Sequence, residues 1–365
     1  MNKILLIYTG GTIGMTHDAK TGSLIPFNLD VLLETIPSIK KLNVGIGTYS
    51  FQHIIDSSDM NPQYWIDIAT VIENNYDDYD GFVVLHGTDT MAYTASALSF
   101  MLEGLTKPVI LTGSQLPIGV LRSDGKDNLI NSIEIAGNKN RNGKALVPEV
   151  CICFENSLYR GNRCTKLNAE NFNAFYSGNY PLLAEIGIHV KYNTNYILQN
   201  NNASKSVSSQ NIETNATTEA IKKPLVHKKL DENVTILKIH PGMSQRIIEN
   251  VLNFKDLKGL VLETYGSGNA PSFVWLKNAL KSAIERGLIV QNITQCKAGG
   301  VEMGKYATSI ELLEAGVISG YDLTTESAVC KMMTLLATDK SKDEIKRLLQ
   351  TSLCGEMTIN DSIVE

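Results

Sequence analysis

Short apolar runs alternate with helical patterns along the first half of the chain. The apolar runs are rich in Val, Ile and Leu, which is typical of strands in a parallel sheet. They lie at Ile4–Tyr8, Gly81–Leu85, Val109–Thr112 and Glu149–Phe154. Pro62 suits the first turn of a helix that continues through Ile72, and Thr90–Leu102 predicts a second, mostly apolar helix. This alternation predicts an α/β domain with a mainly parallel sheet flanked by helices.

The second half resumes this alternation after a break in composition. Residues 191–223 are dominated by Asn, Ser and Thr, which is typical of a linker or an exposed loop. Beyond it, strands are predicted at 234–239, 260–264 and 288–294, and helices at 274–286, 308–315, 326–338 and after the capping box Ser341–Glu344. We predict an N-terminal α/β domain over 1–190, a linker over 191–228 and a smaller C-terminal α/β domain over 229–365.

Composition then narrows the class of protein. Of 365 residues, 43% are hydrophobic and 19% are charged, so the chain can bury a sizeable core. The formal net charge of −5 provides no excess of cations to neutralise phosphates, which argues against a nucleic-acid partner. No apolar stretch reaches the roughly 20 residues of a membrane span, and the run Ile4–Tyr8 is too short for a signal peptide. We expect a cytoplasmic protein with no membrane partner.

The six cysteines are too sparse for a disulfide scaffold. Cys151 and Cys153 alternate along a predicted strand and point to opposite faces, and no Cys or His spacing is typical of a metal site. We expect reduced, mostly buried thiols and no metal.

The first polar cluster is the segment Thr9–Gly14, directly after the first predicted strand. In open α/β sheets, ligands bind beyond the carboxyl ends of the strands. The glycines allow backbone N–H groups to approach a ligand closely, and Thr12 supplies a hydroxyl. Alone, the segment also fits a phosphate loop or a simple turn, although no Gly-Lys-Ser/Thr follows to make it a P-loop.

The second cluster, His86–Thr90, follows the strand Gly81–Leu85. Thr88 and Asp89 lie where they can act on a ligand or cap the next helix, and the fragment alone does not choose between these roles. His86 suggests a general base, with a structural histidine as the alternative.

The third cluster is Asn162–Lys166. Lys166 is a candidate base, but this segment alone favours a solvated lysine in a loop. The chain has no G-x-S-x-G nucleophile elbow. Its threonines, aspartate and lysine at strand ends allow a relay in which Lys takes the proton of a threonine hydroxyl and Asp balances its charge.

The segments together carry a family resemblance that covers nearly the whole chain apart from the Asn-rich linker. The matching motifs are TGGTIG at 9–14, DSSDM at 56–60, GFVVLHGTDTM at 81–91, RGNRCTK at 160–166, ETYGSGNAP at 263–271 and TQCKAGGVEMGKYA at 294–307. In this order and spacing they resemble the bacterial-type L-asparaginases, most closely the cytoplasmic type I branch.

The resemblance implies hydrolysis of L-asparagine to L-aspartate and ammonia, and it admits weak glutaminase activity. Thr12 would attack the side-chain amide and form a β-aspartyl ester. Thr88, Asp89 and Lys166 would form a relay that activates either Thr12 or the deacylating water, and N–H groups around Gly11 and Thr88 would stabilise the oxyanion. The resemblance implies no cofactor and no metal, because the amide nitrogen leaves as ammonia.

Substrate binding and assembly are also implied by the resemblance. Asp56, Ser57 and Ser58 would hold the α-carboxylate and α-amino groups of the substrate, with Asp89 paired to the ammonium. The family forms homotetramers from intimate dimers, and a neighbour's second domain completes each site. We therefore expect a homodimer or homotetramer, with Asn269 where the neighbour's contribution falls.

The chain lacks a loop tyrosine that belongs to the family pattern. Many members carry a Tyr after the first signature that helps to activate the threonine, but residues 15–30 contain none and Leu24 stands in the matching stretch. We hypothesise that Tyr306 reaches the site from a neighbouring subunit. Packing is the alternative role of Tyr306.

A second departure concerns regulation. Type I enzymes can bind a second asparagine at an effector site, which Thr165, Thr294, Gln295 and Cys296 match. The allosteric type has an Arg where this chain has Glu263. Arg pairs with a carboxylate, whereas Glu repels it. We predict weak or absent cooperativity in asparagine.

The sequence disfavours three other functions. A catalytically silent amide-binding or regulatory protein is disfavoured because Thr12, Thr88, Asp89 and Lys166 are all present. The archaeal transfer-RNA amidotransferase subunit has an extra domain before TGGT, whereas the motif begins here at residue 9. A nucleotide-binding protein is disfavoured by the lack of Walker A and G-x-G-x-x-G patterns.

Overall fold

The computed structural model describes residues 1–17, 24–26, 29–34, 36–198, 223–304 and 307–359. The chain divides into two compact units. Unit 1 comprises Met1–Gly161, Lys166–Tyr176 and Pro181–His227, and unit 2 comprises Asn162–Thr165, Ser177–Tyr180 and Lys228–Glu365. Two short segments from the first half of the chain thus belong to unit 2. The domain boundaries given above stay a prediction.

Residues 1–226 contain fourteen strands and four helices among the described residues. The strands are β1 (Asn2–Gly10), β2 (Met15–His17), β3 (Leu24–Pro26), β4 (Val44–Ile55), β5 (Gly81–Leu85), β6 (Leu102–Glu103), β7 (Val109–Thr112), β8 (Val150–Phe154), β9 (Ser157–Arg160), β10 (Thr165–Lys166), β11 (Phe175–Tyr176), β12 (Ala184–Ile186), β13 (Val190–Tyr192) and β14 (Leu225–Val226). The helices are α1 (Leu29–Glu34), α2 (Pro62–Asn74), α3 (Met91–Met101) and α4 (Gly125–Gly137).

Eight of these strands form one sheet in the order β13-β12-β9-β8-β7-β5-β1-β4. The run from β4 to β8 is parallel, and β9, β12 and β13 extend the sheet antiparallel. All of β5 is buried, as expected of a strand covered on both faces. The predicted α/β fold with a mainly parallel sheet is confirmed.

Strand β4 was not predicted, because its sequence lacks an apolar run. It is an edge strand of 12 residues, VGIGTYSFQHII, and most of its side chains are half-buried or exposed. An edge strand needs less apolar surface, so its sequence mixes glycine and polar residues. Its position still matters for function, because its carboxyl end lies beside that of β1.

Unit 2 contains a smaller parallel sheet, which confirms the predicted second α/β region. Its elements are β15 (Val234–Lys238), α5 (Gln245–Leu252), β16 (Gly259–Thr264), α6 (Val274–Glu285), β17 (Ile289–Thr294), α7 (Ala307–Glu314), β18 (Ile318–Ser319), α8 (Thr325–Leu336) and α9 (Lys342–Leu349), with strand order β15-β16-β17-β18. Leu260 and Leu262 pack in one core and Val261 packs in another, so both faces of the sheet are covered. None of the helices in the described part of the chain is long and apolar enough to cross a membrane.

Candidate active site

Three loops meet where neighbouring strands of unit 1 end. Strand β1 pairs in parallel with β4 on one side and with β5 on the other, so their carboxyl ends lie at one edge of the sheet. The loops that follow are Gly11–Gly14, Asp56–Asp59 and His86–Thr90, which carry three of the predicted motifs. The predicted residues Thr12, Asp56 and Thr88 are therefore brought together by strand order.

Three glycines allow these loops to touch through their backbones. A Cβ on Gly10 would lie 2.0 Å from the carbonyl oxygen of Ile55, and a Cβ on Gly11 would lie 2.5 Å from the amide nitrogen of Gly87. Gly87 in turn leaves room for Ser57, whose Oγ would lie 2.4 Å from a Cβ there. Gly11 also has φ of 88°, which favours glycine. Larger residues would separate the loops.

Thr12 begins a single turn of 3₁₀ helix, Thr12–Gly14, at the end of β1. The turn is closed by the Gly14 amide, which donates to the Gly11 carbonyl at 3.2 Å. Thr12 is half-buried, whereas Gly11 and Ile13 on either side are buried. The turn thus presents the Thr12 side chain at the edge of the sheet.

Lys166 joins Thr88 and Asp89 directly. Its Nζ donates to Thr88 Oγ1 at 2.8 Å and to Asp89 Oδ1 at 2.7 Å. The lysine side chain is 17% exposed and the aspartate 64% exposed. The reading of Lys166 as a free, solvated lysine is therefore wrong.

The helix-capping alternative for Thr88 and Asp89 is also wrong. Helix α3 begins at Met91 with Thr90 as its N-cap, and no side chain caps it by a hydrogen bond. Thr90 Oγ1 instead donates to the Ser57 carbonyl at 2.7 Å, which ties the second loop to the third. Thr88 and Asp89 are left to bond with Lys166.

Gln115 is a site residue that the sequence analysis missed. Thr88 Oγ1 donates to Gln115 Oε1 at 3.2 Å, while Gln115 Nε2 donates to the carbonyls of Ala169 and Asn171 at 3.2 and 3.0 Å. It therefore links Thr88 to the loop that follows Lys166. The signal was available, because Gln115 follows the buried strand β7 at the same carboxyl edge.

Asp56 is preorganised as an anion. Its Oδ1 accepts hydrogen bonds from the Ser58 amide and the Ser58 hydroxyl, both at 2.9 Å. These bonds lower the pKa of Asp56. Asp56 and Ser58 are exposed and Ser57 is buried, so the loop presents a fixed carboxylate to solvent.

His86 is structural, which decides between its two predicted roles. It is fully buried, and burial lowers its pKa to about 4. The neutral ring has Nδ1 2.7 Å from the Gly87 carbonyl and Nε2 2.9 Å from Thr94 Oγ1, and Thr94 also accepts from Trp65 Nε1 at 3.0 Å. This buried chain of hydrogen bonds leaves His86 no contact with a ligand at the sheet edge.

The residues matched to an effector site lie in unit 2 and are largely bonded to the protein itself. Thr165 Oγ1 donates to Glu326 Oε1 at 2.5 Å, and Glu263 accepts from Thr325 at 2.5 Å. Lys238 Nζ lies 3.6 Å from the second oxygen of Glu263.

The neighbouring effector candidates behave in the same way. Thr294 Oγ1 donates to the Gly266 carbonyl at 2.6 Å, and Gln295 Nε2 donates to the carbonyls of Ile239 and Glu263 at 2.7 and 2.9 Å. Cys296 has an exposed thiol, unlike four of the six cysteines, which are buried. The side chains of Thr294 and Gln295 thus use their hydrogen-bonding groups within the protein, whereas the Cys296 thiol is exposed.

The remaining candidates lie apart from this network or outside the described residues. Asn269 forms a backbone pair with Tyr265 in unit 2. Tyr306 lies outside the described residues. Within the described part, no three His, Cys, Asp or Glu side chains are grouped so that they could hold a metal ion.

The fold and this edge define an open α/β protein with a polar site at the carboxyl ends of its parallel strands. Comparison with known proteins makes the class specific. The family profile "Asparaginase, N-terminal" matches residues 3–198, and "Glutaminase/Asparaginase C-terminal domain" matches residues 233–349. The chain belongs to the asparaginase family.

Similar proteins share nearly the full length of the chain. L-asparaginase 1 of Escherichia coli (strain K12) is 41% identical over 359 residues, which is 98% of each protein. The crystal structure of L-asparaginase I from Vibrio cholerae matches with a TM-score of 0.82 and 40% identity, covering 98% of this chain and 99% of that one. The thermostable L-asparaginase from Thermococcus kodakarensis matches with a TM-score of 0.83 and 31% identity, covering 98% and 100%.

Proposed function

We propose that the protein is an L-asparaginase that hydrolyses L-asparagine to L-aspartate and ammonia, with weaker activity on L-glutamine. The observation that carries the proposal is the contact of Lys166 Nζ with both Thr88 Oγ1 and Asp89 Oδ1, at 2.8 and 2.7 Å, beside the Thr12 turn. The names of the similar proteins from E. coli and V. cholerae support the same activity.

The first half of the proposed reaction forms an ester on Thr12. The Thr12 oxygen bonds to the side-chain amide carbon, the carbon–nitrogen bond breaks, and the nitrogen leaves as ammonia with the proton released by the hydroxyl. The buried Thr88 and its partner Lys166 accept and return that proton, and Asp89 offsets the charge on Lys166. Backbone N–H groups around Gly11 and Thr88 stabilise the oxyanion, an effect of about 3–4 kcal/mol per donor in other hydrolases.

The second half of the reaction returns the enzyme to its starting state. Water attacks the β-aspartyl ester, aspartate leaves, and Thr12 regains its proton. The same relay serves this step by taking a proton from the water. No step requires a cofactor or a metal.

Substrate recognition follows from fixed charges at the site rim. The Asp56 carboxylate, held by Ser58, and Asp89 attract the α-ammonium of the substrate. The hydroxyl of Ser57 binds its α-carboxylate, and the hydroxyl of Ser58, which donates to Asp56 Oδ1, holds the Asp56 carboxylate for the α-ammonium. Glutamine is longer by one methylene, which gives discrimination of only about 1–3 kcal/mol, so residual glutaminase activity is expected.

Ammonia release from L-asparagine and L-glutamine tests this proposal, with Thr12→Ala as the decisive variant. We expect strong asparaginase activity in the wild type and its loss in Thr12→Ala. Thr338→Ala is the matched control, because its hydroxyl bonds only the nearby Leu335 carbonyl in unit 2. Asparagine binding without ammonia release would instead identify a silent amide-binding protein.

We further propose a cytoplasmic homodimer or homotetramer in which Asn269 of one copy approaches the site of another. Exposed apolar side chains on unit 2 support self-association, among them Ile247 at 62%, Phe254 at 64% and Val274 at 74% exposure. Sedimentation velocity tests this, and a monomer at assay concentration would contradict it.

We also propose that Tyr306 of a neighbouring copy replaces the missing loop tyrosine. If Tyr306→Phe keeps full activity, Tyr306 does not have this role.

The proposed enzyme lacks cooperativity in asparagine. The Glu263 carboxylate already accepts from Thr325 and would repel the carboxylate of an effector. We expect a hyperbolic velocity curve, and a Hill coefficient near or above about 2 would contradict the proposal.

A further inference from the structure

The Thr12 turn, which is the 3₁₀ turn Thr12–Gly14, is held from one side by the buried hydroxyl of Tyr8. Tyr8 lies on β1 and is only 2% exposed, and its hydroxyl donates to the Gly14 carbonyl at 2.9 Å. The Gly14 residue ends the 3₁₀ turn that Thr12 begins. This bond therefore spans the turn that carries the proposed nucleophile.

Tyr8 is a permanent hydrogen-bond donor. Burial raises its pKa to about 12, so the phenol keeps its proton at any pH at which the enzyme would work. A phenol in this state cannot serve as the general base that the absent loop tyrosine would have supplied. Its hydroxyl has one identified role, which is to hold the Gly14 carbonyl.

The glycine at position 14 leaves room for the Tyr8 side chain. Its own φ is not in the region that favours glycine, so backbone strain does not explain why a glycine stands there. A Cβ on Gly14 would lie 2.2 Å from the Tyr8 oxygen and 2.3 Å from Cζ. The missing side chain at position 14 therefore makes room for the Tyr8 ring.

The hydrogen bond between Tyr8 and Gly14 also lies next to the start of β2. The Met15 amide donates to the Thr12 carbonyl and closes the turn, and β2 begins at Met15. Fixing the Gly14 carbonyl thus fixes both the turn that presents Thr12 and the start of β2, which pairs antiparallel with β3.

We propose that Tyr8 is a positioning residue, whose hydroxyl holds the Gly14 carbonyl and so fixes Thr12 in its attacking orientation. The effect on catalysis rests on the proposed function. The ring of Tyr8 fills space in the core, and the hydroxyl sets the orientation of the turn. Small displacements of a reacting group are costly, up to about a hundredfold in rate for about 1 Å.

Tyr8→Phe tests the hydroxyl alone, because phenylalanine keeps the ring. We expect kcat for asparagine to fall about tenfold while KM changes by less than about twofold, since the turn and not the substrate pocket is loosened. The pH profile of kcat should keep its shape. A shifted alkaline limb would show that Tyr8 transfers a proton and would overturn the positioning role.

Tyr76→Phe is the matched control. Tyr76 is also fully buried in unit 1 and its hydroxyl bonds Thr106 at 2.9 Å, but it precedes β5 at the opposite edge of the sheet. Tyr8→Phe loses the hydrogen bond to Gly14, whereas Tyr76→Phe loses two, because the Tyr76 oxygen also accepts from the Thr106 amide at 2.9 Å. Tyr76→Phe should therefore lose at least as much stability, and only Tyr8→Phe should lose kcat. Equal kcat in the two variants would overturn the proposal.

Two further measurements separate this inference from the proposed function. If Thr12→Ala keeps its activity, the nucleophile assignment fails whatever Tyr8 does. Amide hydrogen exchange reads the turn directly, and we expect the Met15 amide to exchange at least about tenfold faster in Tyr8→Phe than in Tyr76→Phe. Unchanged exchange at Met15 would overturn the role of Tyr8 even in an active enzyme.

Discussion

Two lysine–carboxylate pairs, one from each unit, have nearly the same length but differ in burial and in hydrogen-bond partners. In unit 1, Lys166 lies 2.7 Å from Asp89, whose side chain is 64% exposed. In unit 2, Lys331 lies 2.6 Å from Glu356, and both side chains are fully buried. The contact distance therefore says little about what a charged pair does.

The buried pair uses its hydrogen bonds within the protein. Lys331 also donates to the carbonyls of Leu349 and Thr351 at 3.1 and 2.6 Å. Glu356 accepts from the amides of Leu353 and Cys354 at 2.9 and 2.8 Å. Burial alone would raise the pKa of Glu356, but the charge and hydrogen bond of Lys331 lower it overall.

The Lys166–Asp89 pair can contact a bound substrate, because Asp89 is exposed and Lys166 is partly exposed. Ion pairs near solvent stabilise a fold by about 0–1 kcal/mol, whereas breaking a buried pair costs about 3–5 kcal/mol. Lys166 and Asp89 are thus a poor means of stabilising unit 1 but are accessible to a reacting molecule. The comparison predicts that activity depends on one pair and stability on the other.

The largest expected effect is the loss of activity in Lys166→Met. We expect kcat for asparagine to fall at least about a thousandfold, or about 4 kcal/mol in barrier height. The midpoint of thermal unfolding should change by only a few degrees. Ammonia assays and calorimetry on the same preparation check both. A large loss of stability with little loss of kcat would contradict the prediction that activity depends on the Lys166–Asp89 pair.

Glu356→Gln should show the opposite behaviour. The variant leaves the Lys331 ammonium buried without its counter-charge, so we expect a loss of about 3 kcal/mol in the free energy of unfolding. Urea denaturation measures it. Activity per folded molecule should remain near that of the wild type, because Glu356 takes no part in the proposed site.

Gln115→Ala tests whether Gln115 helps to position Thr88 beside Lys166. The change removes the acceptor for Thr88 and the link to the loop after Lys166, so we expect kcat to fall about 10- to 100-fold. Gln350→Ala is a suitable control, since its amide also bonds a backbone carbonyl, that of Lys346 in unit 2. An unchanged kcat would show that Lys166 alone positions Thr88.

The smallest expected effect concerns Glu326, a buried carboxyl that accepts hydrogen bonds from the hydroxyls of Thr165 and Thr324. Burial raises its pKa. The folded state therefore holds a proton that the unfolded state releases, and stability falls as pH rises from about 4.5 through the raised pKa.

Glu326→Gln should remove this fall in stability with pH. Glutamine keeps an oxygen to accept from Thr165 but has no proton to lose. Relative to wild type, the variant should lose less stability between pH 4.5 and pH 8. Urea denaturation at both pH values measures the difference, and parallel pH dependence in the two proteins would contradict it.

The local pattern of apolar and polar residues was sufficient to predict the buried strands and several helices. The apolar runs in β1, β5 and β7 and the cap of α9, where Ser341 accepts from the Glu344 amide, depend on neighbouring residues alone. Strand β4 was missed because an edge strand needs no apolar run. Gln115 was missed because its importance lies in partners at Thr88 and Asn171, which are distant in sequence.

The α/β fold class and the candidate residues Thr12, Thr88, Asp89 and Lys166 could be predicted from the sequence, because apolar strands and short motifs are recognised from neighbouring residues. Tertiary structure alone decided how these polar residues differ. Burial turned His86 into a neutral structural group, left Asp89 exposed and Lys166 partly exposed, and enclosed Lys331 with Glu356. The physical reason is that desolvation and hydrogen-bond partners come from distant parts of the chain, and only folding brings them together.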